Sequence, residues 1–138
     1  LFFMDRYNKF KAMLGLVEDN PNGIIDRYKD GSREWGGSKW ALKQIASLSR
    51  QNGIPALLMV WPMHIKLSDD YPFKGVHNKI ITTGNSLGFY TLDLFPVFKG
   101  KDSQSLSVPL DGHPNAPAHE ITARAIFEYL IKERLAPL

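Results

Sequence analysis

From Ile54 to Trp61 the chain reads Ile-Pro-Ala-Leu-Leu-Met-Val-Trp, apolar at every position, and Pro62 closes the run. A strand with one face in water would alternate apolar and polar residues. A short run that does not alternate marks a strand covered on both faces, as in a parallel sheet. Phe89 to Leu94 is a second strand of this kind. Between them Val76, Ile80, Gly84 and Leu87 recur at helical spacing, and Gly88 ends the stripe. Two parallel strands need a crossover of a dozen residues or more, and this helix supplies it.

The flanks are helical as well. Phe3, Tyr7, Phe10 and Leu14 would share one face of a helix over residues 3–16, stopped by the turn formers of Asp19-Asn20-Pro21-Asn22-Gly23. Residues 24–37 are polar and glycine-rich and read as a loop, with room for a short helix, anchored by Tyr28 and Trp35. Ser38 is the expected cap of a second helix, with Ala41, Leu42, Ile45 and Leu48 as its apolar stripe and Gln51-Asn52-Gly53 as its end. Asn115 is placed to cap a last helix, in which Ala118, Ile121, Ala125, Ile126, Tyr129 and Leu130 face inward. Glu120 lies near its positive end, and Lys132 and Arg134 near its negative end.

The order helix, helix, strand, helix, strand, helix builds an α/β domain on a parallel sheet. Two strands alone leave long apolar edges unpaired. At least three further strands are therefore expected from a preceding segment, and Leu1-Phe2-Phe3-Met4 reads as a cut through a longer protein. Without that segment, self-association through the exposed sheet edge is expected.

Composition narrows the function. The 138 residues carry 17 Lys plus Arg against 14 Asp plus Glu, a net charge of +3, with the basic residues scattered singly. Such a surface is solvated and is not a nucleic-acid footprint. There is no cysteine, which excludes disulfides and thiolate metal sites. No apolar run approaches the ~20 residues of a membrane span. Asp69-Asp70 reads as a solvated acid pair, with no ligand at metal spacing beside it. No metal or cofactor is expected. Trp35, Trp40 and Trp61 read as core anchors.

In open parallel sheets chemistry collects outside the carboxyl ends of the strands. Three loops should reach that edge: Pro62-Met63-His64, Phe95-Pro96 and Asp111-Gly112-His113. Asp and His two residues apart, on a loop stiffened by Pro114, can set a carboxylate against one imidazole nitrogen and leave the other as a general base. Asp111 and His113 are thus the candidate catalytic pair. Pro62, His64 and His119 are the candidates to lie near a substrate. His77, at the start of a helix, carries no such signal.

Asp111-Gly112-His113-Pro114-Asn115, with Ala118-His119 and an apolar helix behind it, resembles the last conserved block of the SGNH (GDSL-type) hydrolases. The helix ending in Asn52-Gly53, the Ile54-Pro55 strand ending at Pro62 and the strand carrying Leu92-Asp93-Leu94 are similar too. The resemblance runs from about Trp40 to Leu130. Many members space the pair Asp-x-x-His, whereas this chain has Asp-x-His. It implies a three-layer α/β/α, flavodoxin-like sheet, of which residues 1–138 are the C-terminal part. It further implies an ester hydrolase acting on an acylated carbohydrate, a lipid or a small ester. His113 would be the base that activates a serine, and Asp111 would orient it. The family's Gly-Asp-Ser motif and its oxyanion-hole glycine and asparagine are not in this chain. Gly31-Ser32 and Asn85-Ser86 are the nearest imitations, and neither follows a strand. A non-catalytic SGNH-like binding or assembly domain, or an O-acyltransferase, are the alternatives.

Overall fold

A computed structural model of the chain describes residues 21–109 and 111–135. The helix expected over residues 3–16 lies outside them. Two strands, β1 (Leu57–Val60) and β2 (Tyr90–Asp93), pair in parallel with Leu57 opposite Tyr90 and Val60 opposite Asp93. The chain belongs to the α/β class, with a small two-stranded parallel sheet at its centre. Five helices accompany it among the described residues: α1 (Pro21–Arg27), α2 (Arg33–Gln51), α3 (Lys74–Leu87), α4 (Phe95–Phe98) and α5 (Ala116–Lys132).

The helix α3 is the crossover between the strands and packs on both. Contact is closest at Gly84, where an added Cβ would lie 2.6 Å from Leu58 Cδ2 and 2.9 Å from Thr91 Cγ2. Alternation along the strands sends Met59, Trp61 and Leu92 to the opposite face. There they meet Ala118, Ile121 and Ala125 of α5 in the main core, together with Leu94, Phe95, Phe98 and Leu106. Each strand has one edge with no strand partner among the described residues. Beside β1 lies a largely apolar cavity of about 340 Å³, lined by Leu58, Val60, Trp61, Tyr71, His77 and Ile80 among others. No described helix is long and apolar enough to cross a membrane.

Four expectations need correction. The helix α2 begins at Arg33, not after Ser38, because Ser32 Oγ accepts the Trp35 N–H at 3.2 Å and caps it. Ser38 sits inside the helix with its hydroxyl donating to the Glu34 carbonyl at 2.9 Å. The turn formers at residues 21–23 open α1, since Pro fits a first helical turn. Trp40 is no core anchor: it is 66% exposed, and Ile45 and Leu48 of the expected stripe are exposed beside it. The residues that α2 does bury are Trp35 and Ala46. The strands are also shorter than read, since Ile54 is exposed and Leu94 is already past the ladder.

The contact at Gly84 gives a test. Alanine gains up to about 1 kcal/mol of helix propensity. Overpacking against stiff, β-branched Thr91 costs about 1–3 kcal/mol, so a net destabilisation near 1 kcal/mol is expected. Urea unfolding of Gly84→Ala measures it, and a variant more stable than the parent would show that α3 has room to move off the sheet.

Candidate active site

The carboxyl end of β1 opens into a loop, and that of β2 runs almost directly into the short helix α4, where a loop was expected. The loop before α5 meets the first through Ser107 and His64; its described residues between Ser103 and Asn115 form no helix or strand, so its own polar groups must hold it. Asn115 is the hub. Its Oδ1 accepts the Ala118 N–H at 3.2 Å and caps α5, while its Nδ2 donates to the carbonyls of Ser105 at 2.8 Å and Ser107 at 3.3 Å. Ser107 and Pro114 form an isolated antiparallel bridge, flanked by Val108 N–H to the His113 carbonyl at 2.8 Å and Asn115 N–H to the Leu106 carbonyl at 3.0 Å. The Asp111 and Gly112 amides both donate to the Val108 carbonyl, and Gly112 turns at φ +76°, a region few side chains tolerate.

That turn sets the Asp111 carboxylate against His113 Nδ1. The His113 side chain is 78% exposed and its Nε2 has no hydrogen-bond partner among the described residues. The arrangement is what the spacing of the two residues suggests: one nitrogen tied to an acid, the other open to solvent.

The other site candidates gather at the neighbouring loop. Pro62 is fully buried under the end of β1. His64 is half-buried, with Nε2 3.2 Å from Trp61 Nε1 and Nδ1 3.0 Å from Ser107 Oγ. Burial holds its pKa below the ordinary value, although the Leu106 backbone pulls the other way. His119 is exposed on the first turn of α5 and meets Trp61 edge-on at 5.4 Å. Trp61 therefore stands between His64 and His119, with Phe98 at 5.6 Å closing the group.

A second polar cluster, unmarked in the sequence reading, ties the two strand ends together. His77, 4% exposed on α3, has Nδ1 2.7 Å from Asp93 Oδ1 and Nε2 3.1 Å from the Tyr71 hydroxyl. Tyr71 accepts the Met63 N–H at 3.0 Å, and Asp93 also accepts the Phe95 N–H at 2.9 Å. Burial pushes the Asp93 carboxyl up, but the His77 and Phe95 hydrogen bonds outweigh it and hold the group below the usual carboxylate range. Burial raises Tyr71 to about 12. The signal was present: His77 falls on the Val76–Ile80–Gly84 face, and Asp93 interrupts an apolar strand. A half-buried acid favours a partner, and a histidine on the facing helix stripe is one.

Among the described residues no cluster of histidine and acid groups could hold a metal ion. The chain matches no protein-family model, no curated protein and no solved structure.

The second cluster is open to test. In His77→Ala both Asp93 and Tyr71 lose a buried partner, and a loss of about 2–3 kcal/mol is expected. Chemical denaturation at pH 7 measures it. A loss under about 0.5 kcal/mol would mean that other contacts hold the strand ends together.

Proposed function

We propose that the chain is part of an ester hydrolase of the SGNH type, with His113 as the general base and Asp111 as its orienting acid. The observation that carries the reading is the contact of Asp111 with His113 Nδ1 on an otherwise exposed ring. The carboxylate fixes the proton on Nδ1, so Nε2 is left unprotonated to face a nucleophile. In the reaction Nε2 takes the proton of a serine hydroxyl as its oxygen attacks the ester carbonyl. The resulting imidazolium, stabilised by Asp111, returns that proton to the departing alcohol, and water then repeats the cycle on the acyl-enzyme.

The serine would come from a further strand of a flavodoxin-like sheet, outside the described residues. The open edge of β1 and the apolar cavity beside it support this, because a neighbouring strand would pair with the one and fill the other. Three of the serines in hand are committed elsewhere. Ser32 caps α2, the Ser86 hydroxyl donates to the Thr83 carbonyl, and that of Ser107 to the Ser103 carbonyl. An acyltransferase would use the same groups with a sugar hydroxyl in place of water.

In the complete domain, His113→Ala should lower turnover of p-nitrophenyl acetate by on the order of 10⁴–10⁶. Asp111→Asn should cost less, since the ring is misoriented rather than lost. His119→Ala should stay within about tenfold of the parent, because that ring supports Trp61 and is not the base. Residues 1–138 alone should show essentially no turnover. If His119→Ala proves as damaging as His113→Ala, the base is the other histidine. A parent indifferent to both changes would replace the hydrolase with a binding module.

A further inference from the structure

We propose that His64 is a positioning residue for the His113 loop, a neutral imidazole locked between Trp61 and Ser107 that lets the loop go when it gains a proton. Its part in catalysis rests on the hydrolase reading above, whereas the lock itself rests on hydrogen-bond directions.

Those directions leave one arrangement. An indole N–H can only donate, so at 3.2 Å from Trp61 Nε1 the His64 Nε2 must accept. A neutral ring then carries its proton on Nδ1 and donates it to Ser107 Oγ at 3.0 Å. Ser107, with its oxygen so occupied, donates its own proton to the Ser103 carbonyl at 2.9 Å. Trp61, His64, Ser107 and Ser103 form one chain with every proton used once. The same arrangement rules out Ser107 as a nucleophile activated by His64, since the histidine is the donor of the pair.

Ser107 couples this chain to His113. It bridges Pro114, its carbonyl accepts from Asn115 Nδ2, and the next residue, Val108, donates its N–H to the His113 carbonyl. A protonated His64 would carry N–H groups at both nitrogens, and its Nε2–H would then point at the Trp61 N–H. One hydrogen bond becomes a clash between donors, and the chain loses its anchor on the strand end. On the elements around His64 the titratable groups are Lys66, Asp69, Asp70 and Tyr71 on its own loop, Lys99, Lys101 and Asp102 after α4, Asp111 and His113 on the next loop, and His119 and Glu120 at the start of α5, and none hydrogen-bonds or ion-pairs with it. No carboxylate is therefore placed to favour its charged form. Because the fold holds His64 below its ordinary value of 6.5, the lock is complete above that pH and is lost as pH falls through the lower, folded-state value.

Nuclear magnetic resonance of the ¹⁵N-labelled full chain tests this. The Trp61 indole N–H signal, assigned with Trp61→Phe, should shift with a midpoint below 6.5. The Val108 amide and the Asn115 side-chain amide should follow at the same midpoint. His64→Gln keeps an acceptor and a donor but cannot charge, so all three signals should stay at their neutral-pH positions throughout. His64→Ala should hold the two loop signals at their acid positions even at pH 8. A Trp61 signal that does not move in the parent overturns the proposal. So do loop shifts that survive in His64→Gln, which would belong to His113, and a Trp61 shift that the loop does not follow. Turnover is not measured, so an inactive chain can still show the lock and an active one can lack it.

Discussion

A carboxylate half-withdrawn from water at the end of a strand is the constraint on which this structure turns. Asp93 stands half-buried at the carboxyl end of β2, where a charge without partners would be disfavoured. His77 and the Phe95 amide satisfy it, and in doing so recruit three other segments. The His77 ring fixes the first turn of α3 against β2. Its far nitrogen holds Tyr71, and Tyr71 holds the Met63 amide, the first donor beyond Pro62 at the exit of β1. Stacking of Tyr71 on Phe95 at 4.5 Å closes the circuit apolar side inward. Both strand ends are thus fixed relative to one another by side chains, where a two-stranded ladder of four residues each is too short to do so by itself.

The loop that carries His113 is held by a different device. It buries little, Leu106 being its one buried side chain among the described residues, so packing cannot place it. Its position comes from backbone hydrogen bonds gathered on Ser107 and Asn115, two residues whose side chains also reach the neighbouring elements: Ser107 to His64 at the β1 exit, Asn115 to α5. An exposed histidine on an irregular loop thereby acquires a defined place beside the loop that leaves β1. Its ring stays open to solvent, as the proposed role of a base requires.

What could be read from the chain beforehand follows the strength of each local signal. β1, β2, α3 and α5 were legible because apolar runs and stripes, Gly88 and the Asn115 cap agree with one another. The start of α2 was not. Gly36 and Gly37 argue for a loop at about 1 kcal/mol each. Yet Trp35, 2% exposed, buries on the order of 200 Å², worth about 5 kcal/mol at 25 cal/mol per Å². Burial wins and the helix runs through the glycines. The stripe of α2 failed in the opposite sense, since periodicity shows which residues share a face but not whether anything covers it. Among the described residues nothing covers Trp40, Ile45 and Leu48. The Asp111–His113 contact was readable because it is local. The His77–Asp93 pair spans sixteen residues and required the helix and strand to be set face to face first.

The three histidines with hydrogen-bonded rings are separated by what the second nitrogen meets. In His77 both nitrogens are bonded inside the protein, one to an acid and one to a phenol, and the ring is sealed from solvent. In His64 both are bonded again, but to two neutral groups, so no carboxylate stabilises a charge on it, and burial outweighs the pull of the Leu106 backbone. Only His113 combines an acid on one side with an open nitrogen on the other. Proton transfer to a substrate demands both: a carboxylate to carry the ring through its charged state, and a lone pair that nothing in the protein already uses. A sealed ring can brace and a neutrally bonded one can latch, but neither can act as a base without first breaking the contacts that place it.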